Sequence, residues 1–126
     1  ESINLDNLSD TLEETFQQRL FHLIDERKLD DVTVYKRACV DRKVFSTIRK
    51  KVDYVPKKRT ALAFAIALEL NMDETADLLS RAGMALSPSS MTDVVLSYCI
   101  SNQIYDTIQI DTALFHYHQK PMFSVE

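Results

Sequence analysis

Basic side chains concentrated between positions 36 and 59 are the residues of this sequence with the clearest potential for chemistry. The segment holds ten lysines and arginines against two aspartates, a net charge of +8, whereas the rest of the 126-residue chain has five basic and 17 acidic residues. Clustered ammonium and guanidinium groups attract polyanions and donate hydrogen bonds to phosphate oxygens and base edges. The segregation predicts a basic lobe that binds a polyanion, although the whole chain has a net charge of −4. A lysine-rich face that only meets solvent is the alternative.

Other reactive side chains are too sparse or wrongly spaced for a catalytic or metal site. His116 and His118 are two positions apart, so on a helix they point about 200° apart and cannot hold one metal ion. Cys39 and Cys99 form no paired metal or redox motif, and both are expected to be buried thiols. No base or oxyanion site accompanies Cys39 in the sequence. We expect no enzymatic activity, no metal and no cofactor.

The elements that carry the basic segment are predicted to be helices. The sequence contains a single glycine, Gly83, where average usage would give about nine. This scarcity disfavours architectures that need many positive-φ positions, including glycine-rich phosphate loops and hairpin-dense β sandwiches. Abundant Ala, Leu, Glu, Lys, Arg and Gln favour an all-α domain. No apolar run approaches the ~20 residues of a membrane helix and no signal peptide is recognisable, so a cytoplasmic protein is expected.

Hydrophobic spacing and capping residues predict seven helices. Candidate caps are Asp10 with Glu13 for the first, Asp30 or Asp31 for the second, Asp41 for the third, Asn71 with Glu74 for the fifth and Asp111 for the last. Predicted buried positions in the first three helices are Leu12, Phe16, Leu20, Leu23, Ile24, Val34, Tyr35, Ala38, Val44, Phe45 and Ile48. In the last two they are Val94, Val95, Tyr98, Cys99, Ala113, Leu114, Phe115 and Tyr117.

The fourth helix is expected to be the centre of the bundle. Pro56 is a plausible start for it, and residues 61–70 are apolar apart from Glu69. Gly83 is predicted to end the fifth helix in a left-handed conformation, and the sixth is expected at 91–101. The predicted organisation is a linker or disordered N-terminus over 1–9 and one helical domain over 10–126. Within that domain, 10–83 form a core and 84–126 form a two-helix extension.

Two short helices joined by a tight turn, the second with a basic outer face, form the helix-turn-helix arrangement. The segment from Phe16 to Gly83 resembles the five-helix DNA-binding domain of the lambda-repressor and phage Cro type. The resemblance rests on Phe16-Gln-Gln-Arg-Leu, Asp31 to Ala38, Val40-Asp41-Arg42-Lys43, Ile48-Arg49, Pro56, the helix through Leu68, and Met72-Asp73-Glu74. It implies a recognition helix at about 41–50. The implied base-edge contacts are Arg42, Lys43, Ser46 and Thr47, and the implied phosphate contacts are Arg49, Lys50, Lys51, Lys57, Lys58 and Arg59.

Three positions depart from the pattern of that family. Tyr35 stands inside the second helix where the family usually has a small alanine, and Cys39 stands in the turn where it usually has glycine. Asp31 replaces the glutamine that usually contacts phosphate at the start of the second helix, and a carboxylate there is expected to repel phosphate. At these three positions we expect the contact with DNA to differ from that of the family.

The chain also resembles divergent helix-turn-helix modules at the C-terminal end of larger bacterial proteins, some of which begin with a macro-type domain. It starts at Glu1 without methionine, so we expect a piece of a longer protein. The leading prediction is a DNA-binding module of a bacterial regulatory protein. The alternative is a protein-interaction or regulatory module that contacts an attached or partner domain and does not bind DNA. The aromatic residues near the C-terminus suit such an interface or a homodimer: Tyr98, Tyr105, Phe115, Tyr117 and Phe123.

Overall fold

Side-chain caps determine where most of the helices begin. In a computed structural model that describes residues 2–124, a 3-10 turn at Leu8–Thr11 precedes seven α-helices: α1 (Phe16–Glu26), α2 (Asp31–Arg37), α3 (Arg42–Lys50), α4 (Lys58–Ala67), α5 (Met72–Arg81), α6 (Met91–Ser101) and α7 (Thr107–His116). Asp30, Asp41 and the Asn71–Glu74 pair cap α2, α3 and α5 as predicted. No strand occurs among the described residues, so the all-α prediction is confirmed.

The predicted starts of α1 and α7 are wrong. Thr15 and Gln18 form the capping box of α1, because each side chain accepts the other's backbone N–H, and Asp10 lies in the preceding 3-10 turn. Asp106 caps α7. Asp111 lies within α7, where its carboxylate accepts the backbone N–H groups of residues 122–124 and fastens the C-terminal segment to the helix.

Several residues predicted to be buried are exposed, either because they lie outside the helices or because their helix faces the core along a narrower or rotated stripe. The exposed residues are Leu12, Cys39, Val44, Val94, Tyr98, Phe115 and Tyr117. Leu12 precedes α1 rather than lying on it. In α6 the buried side chains are Val95, Leu96, Cys99 and Ile100, and α7 buries only Ile110 and Leu114.

Helix α4 forms the centre of the core. All seven side chains from Ala61 to Ala67 are buried, which confirms the prediction of a central helix, although it begins at Lys58 rather than at Pro56. Helix α4 packs on α2 and α5, α1 packs on α5, and α6 packs on both α5 and α7. No helix in the described part of the chain is long and apolar enough to cross a membrane.

Six of the seven helices end at a residue in the left-handed region. These residues are Lys28, Cys39, Glu69, Gly83, Gln103 and His118, with φ between 53° and 73°. Each is followed by a residue whose N–H bonds back to the carbonyl five positions earlier, as in Val40 to Tyr35 and Leu70 to Ala65. In five of the six motifs that following residue is apolar and packs on the core: Leu29, Val40, Leu70, Met84 and Ile104. Five of these six left-handed positions are occupied by residues other than glycine, so the single glycine does not limit the number of left-handed helix ends in this fold.

We predict that introducing glycine at one of these helix ends and removing it at another change stability in opposite directions. Cys39→Gly should raise the free energy of unfolding by about 0.5–1 kcal/mol, because it removes a left-handed penalty of about 1–2 kcal/mol at some cost in unfolded-chain entropy. Gly83→Ala should lower it by about 1 kcal/mol through the backbone alone, since no atom lies within 4 Å of the added Cβ. Urea denaturation measures both. Cys39→Ala is the control, and a gain of equal size there would contradict the backbone explanation.

Arg81 joins the end of α5 to the segment before α1. Its guanidinium donates to the Asp77 carboxylate at 3.0 and 3.1 Å and to the Glu14 carbonyl at 2.9 Å. The Arg81 hydrogen bond holds the pKa of Asp77 below its ordinary value, against the opposing effect of burial. The folded state therefore binds a proton at Asp77 less readily than the unfolded chain does.

This pKa difference predicts a loss of stability in acid. Because the Asp77 pKa is depressed in the folded state, its contribution is present above the unfolded value of about 3.9 and is lost as the pH falls through the folded value. The free energy of unfolding should decline as the pH falls below about 5. Arg81→Met should make that decline shallower. An unchanged slope in this variant would show that other carboxylates dominate the acid response.

Candidate nucleic-acid interface

An aromatic cluster anchors the inner side of α3. The Phe45 ring lies 5.6 Å from that of Phe21, 5.5 Å from that of Tyr35 and 5.9 Å from that of Phe64, measured between centroids. Ile48, one turn further along, is fully buried. Tyr35 therefore fills space between α2 and α3 by packing on Phe45, in a position where a smaller side chain would leave a gap. The aromatic contacts fix which side of α3 faces outward.

A buried amide from α1 holds the other end of α3. The Gln17 side chain donates from Nε2 to the Arg49 carbonyl at 2.9 Å. The residue is buried, and its hydrogen bond satisfies one of the last carbonyls of α3. Sequence reasoning missed Gln17. The sequence signal for Gln17 is its place directly after Phe16, as a polar residue beside the apolar residues on the buried side of α1.

The outer side of α3 presents hydrogen-bond donors to solvent. Its exposed polar side chains are Arg42, Lys43, Ser46, Thr47, Arg49 and Lys50, and Lys51 follows directly. Thr47 donates its hydroxyl to the Lys43 carbonyl at 3.1 Å, which orients its side chain along the helix. The Asp41 carboxylate accepts the Lys43 N–H at 3.0 Å, so its charge lies at the N-terminus of α3. The four predicted base-edge residues thus share one exposed surface.

Arg49 has a partner within the protein. Its guanidinium donates to both carboxylate oxygens of Asp31, at 2.9 and 2.6 Å, and lies 4.1 Å above the Phe21 ring. Asp31 was expected to repel phosphate, but in the structure its charge is matched by Arg49 in a two-pronged ion pair. The pair links the start of α2 to the end of α3. It occupies N–H groups of Arg49 that were expected to donate to DNA phosphate.

The turn between α2 and α3 keeps the conformation for which glycine is usually selected. Cys39 is exposed with φ of 55°, and the next residue, Val40, donates its N–H to the Tyr35 carbonyl at 2.9 Å. A side chain at this position is therefore compatible with the turn, at a cost in backbone energy. The turn ends at Asp41, which caps α3.

The basic residues after α3 divide into two groups. Lys51 and Lys57 are exposed, and Lys58 and Arg59 contact the C-terminal extension. Lys58 forms an ion pair with Asp93, whose side chain is only 5% exposed, and Arg59 donates to the Met122 carbonyl at 2.6 Å. Asp93 also accepts the Ser87 N–H at 2.7 Å. The N-terminus of α4 is the one α-helix start in the described chain where no side chain provides a cap.

Comparison with family models, with curated proteins and with solved structures finds no match to this chain. Residues 2–124 contain no group of three or more His, Cys, Asp and Glu side chains arranged to hold a metal ion. The assignment of a function therefore depends on the geometry and charge of the basic lobe.

Lys57 and Lys58 provide a matched test of which basic residues are structural. Lys58→Met should lower the free energy of unfolding by about 1–3 kcal/mol, because it leaves the buried Asp93 carboxylate without its counter-charge. Lys57→Met changes the same residue type at an exposed neighbouring position and should change stability by less than about 0.5 kcal/mol. Chemical denaturation of both variants measures the difference. Equal effects would contradict a structural role for Lys58.

Proposed function

We propose that this chain is a helix-turn-helix module that binds duplex DNA, with α3 as the recognition helix, as part of a regulatory protein. The observation that carries the proposal is the outer side of α3, where Arg42, Lys43, Ser46, Thr47 and Lys50 are exposed together. Arginine and lysine donate to guanine edges and phosphates, and short hydroxyls contact several bases. The aromatic anchor on the inner side of α3 directs these side chains toward the ligand.

The dimensions of α3 suit the major groove. An α-helix with its side chains is about 10–12 Å across, which fits the ~12 Å width of the groove, and the nine residues of α3 extend about 13.5 Å along it. In this arrangement the first turns of α3 meet base edges through Arg42, Lys43, Ser46 and Thr47. Lys50 and Lys51 then contact the backbone at the end of the helix. Lys57 and the uncapped N-terminus of α4 add a second backbone contact, since free N–H groups at a helix start attract phosphate.

The proposal gives Arg49, Lys58 and Arg59 positioning roles rather than direct phosphate contacts. Their donors already bind Asp31, Asp93 and the Met122 carbonyl, respectively. Each partner would be left short of a hydrogen bond if the side chain turned toward DNA. These residues hold the exposed donors in place.

Charge reversal on the basic lobe tests the proposal. The double variant Lys50→Glu, Lys51→Glu should weaken binding to random duplex DNA by about tenfold or more and reduce the salt slope of log affinity by about two. Fluorescence polarisation at several salt concentrations measures both quantities. Lys28→Glu, Lys120→Glu carries the same charge change at exposed positions outside the lobe and should retain the wild-type salt slope. Equal affinity and slope in wild type and the lobe variant would reject the proposal.

An acidic protein surface is the second candidate ligand for the same lobe. The Asp31–Arg49 pair favours it, because the pair removes a donor from the phosphate-facing set while leaving the lysines exposed. A wild-type protein with no measurable affinity for duplex DNA at low salt would favour this candidate over DNA.

A further inference from the structure

A cavity of about 420 Å³ lies between α4 and the extension. One wall is the start of α4, the second is the first half of α6, and the third is the end of α7 with the segment that follows it. Sites for small molecules are typically clefts of about 300–1,000 Å³ with a largely apolar lining and a few polar groups. The cavity has the size of such a site, and the chemistry of its lining indicates which kind of molecule fits.

The apolar part of the lining belongs to the core. Leu62, Leu96, Leu114 and Met122 line the cavity, and none of them is more than 8% exposed. These side chains can contact the apolar body of a ligand without leaving their places in the core. Burial of that body against them removes apolar surface from water, which favours binding.

The segment after α7 is fastened in place as a wall of the cavity. The Asp111 carboxylate accepts the backbone N–H groups of residues 122–124. Thr92 donates its hydroxyl to the Gln119 side chain at 2.8 Å, which ties the same segment to α6. The cavity is therefore formed before a ligand enters, and a preformed site lowers the entropic cost of binding.

The charged part of the lining has more cations than anions. The ionisable residues that line the cavity are Lys58, Arg59, Asp93, His118 and Lys120. Lys58 is paired with the buried Asp93, which is the one carboxylate of the lining. Arg59 uses one nitrogen for a backbone carbonyl and keeps further N–H donors of its guanidinium, and Lys120 is exposed. The positive charge of Arg59 and Lys120 is therefore left for a ligand.

We propose that this cavity binds a small amphipathic anion, a molecule with one carboxylate or phosphate group on a short apolar body. The apolar body lies against the three leucines of the lining. The anionic group accepts charge-assisted hydrogen bonds from Arg59 and Lys120. A neutral ligand leaves both cations without a partner. A cationic ligand is repelled by them, because the carboxylate of the cavity is already paired.

Binding at this site connects the extension to the core. A ligand in the cavity contacts α4, α6 and α7 together, so it binds while the extension is packed on α4 and stabilises that packing. The site does not use the exposed side of α3, and the proposal does not depend on the binding of DNA. Failure of the chain to bind DNA would leave it unchanged.

Methyl NMR of the full chain labelled at its methionines tests the site with defined probes. Octanoate and octyl phosphate are the anionic probes, and 1-octanol and octylammonium carry the same apolar body with a neutral and a cationic head. The Met122 methyl resonance should shift with the anions, with a dissociation constant on the order of 1 mM for a ligand of about ten non-hydrogen atoms. Met72 lines a different cleft and is the internal control, whose resonance should not shift.

The head group and the apolar body each have a matched comparison. Octanol and octylammonium should bind about fivefold or more weakly than the better anion, since they lack a charge complementary to Arg59 and Lys120. Butanoate keeps the carboxylate on a shorter body and should bind about tenfold or more weakly than octanoate. The tighter of the two octyl anions identifies the head group. A Met122 resonance that neither anion shifts, equal affinities for the anionic and cationic probes, or an equal shift at Met72 would overturn the proposal.

The variant Lys120→Met tests where the anionic group lies. It removes one of the two available cations at an exposed position and should weaken the binding of both octyl anions by about two- to fivefold. Lys28→Met makes the same change at an exposed lysine after α1 that does not line the cavity, and it should bind both anions as wild type does. Equal affinities in the two variants would contradict the assignment of the anion to this cavity.

Discussion

Burial of α4 on all sides is the constraint on which the rest of the structure depends. Every side chain from Ala61 to Ala67 is inside, so no side of the helix can be left to solvent. Helices α2 and α5 pack on it, and Leu62 lines a cavity together with Leu96 of α6 and Leu114 of α7. The N-terminus of α4 is fastened to the extension by Lys58 and Arg59. The extension is thus part of the core that supports the basic lobe.

This packing separates the basic residues into those paired within the protein and those exposed to solvent. Charge close to the extension or to α2 is matched internally, as in Lys58 with Asp93 and Arg49 with Asp31. Charge farther out on α3 and in the following loop has no such neighbour and stays exposed. A cluster that looks uniform in the sequence therefore contains two kinds of residue, one that holds the lobe together and one available to a ligand.

Left-handed helix ends show why a shortage of glycine did not limit this fold. Five residues with side chains accept that conformation, and each closes a turn whose next bond fixes the chain direction. The conformational penalty of about 1–2 kcal/mol at each is opposed by burial of the apolar residue that follows in four of these five cases. Val40 after Cys39 is the example in the turn between α2 and α3. The amino-acid composition gives the number of glycines, but it does not reveal the apolar contacts that offset the left-handed penalty at other residues.

Local patterns in the sequence determined the helical class, the caps at Asp41 and Asn71, the central apolar helix and the stop at Gly83, and they left Asp30 and Asp31 as the two candidates for the cap of α2. Each depends on residues within one or two turns of each other, so spacing alone reveals them. Tertiary structure decided the pairings across the bundle: Gln17 with Arg49, Arg49 with Asp31, and Lys58 with Asp93. It also decided that Phe115 faces solvent while Leu114 is buried. These outcomes depend on which helix faces lie opposite one another, and that geometry follows from the packing around α4 rather than from any single segment.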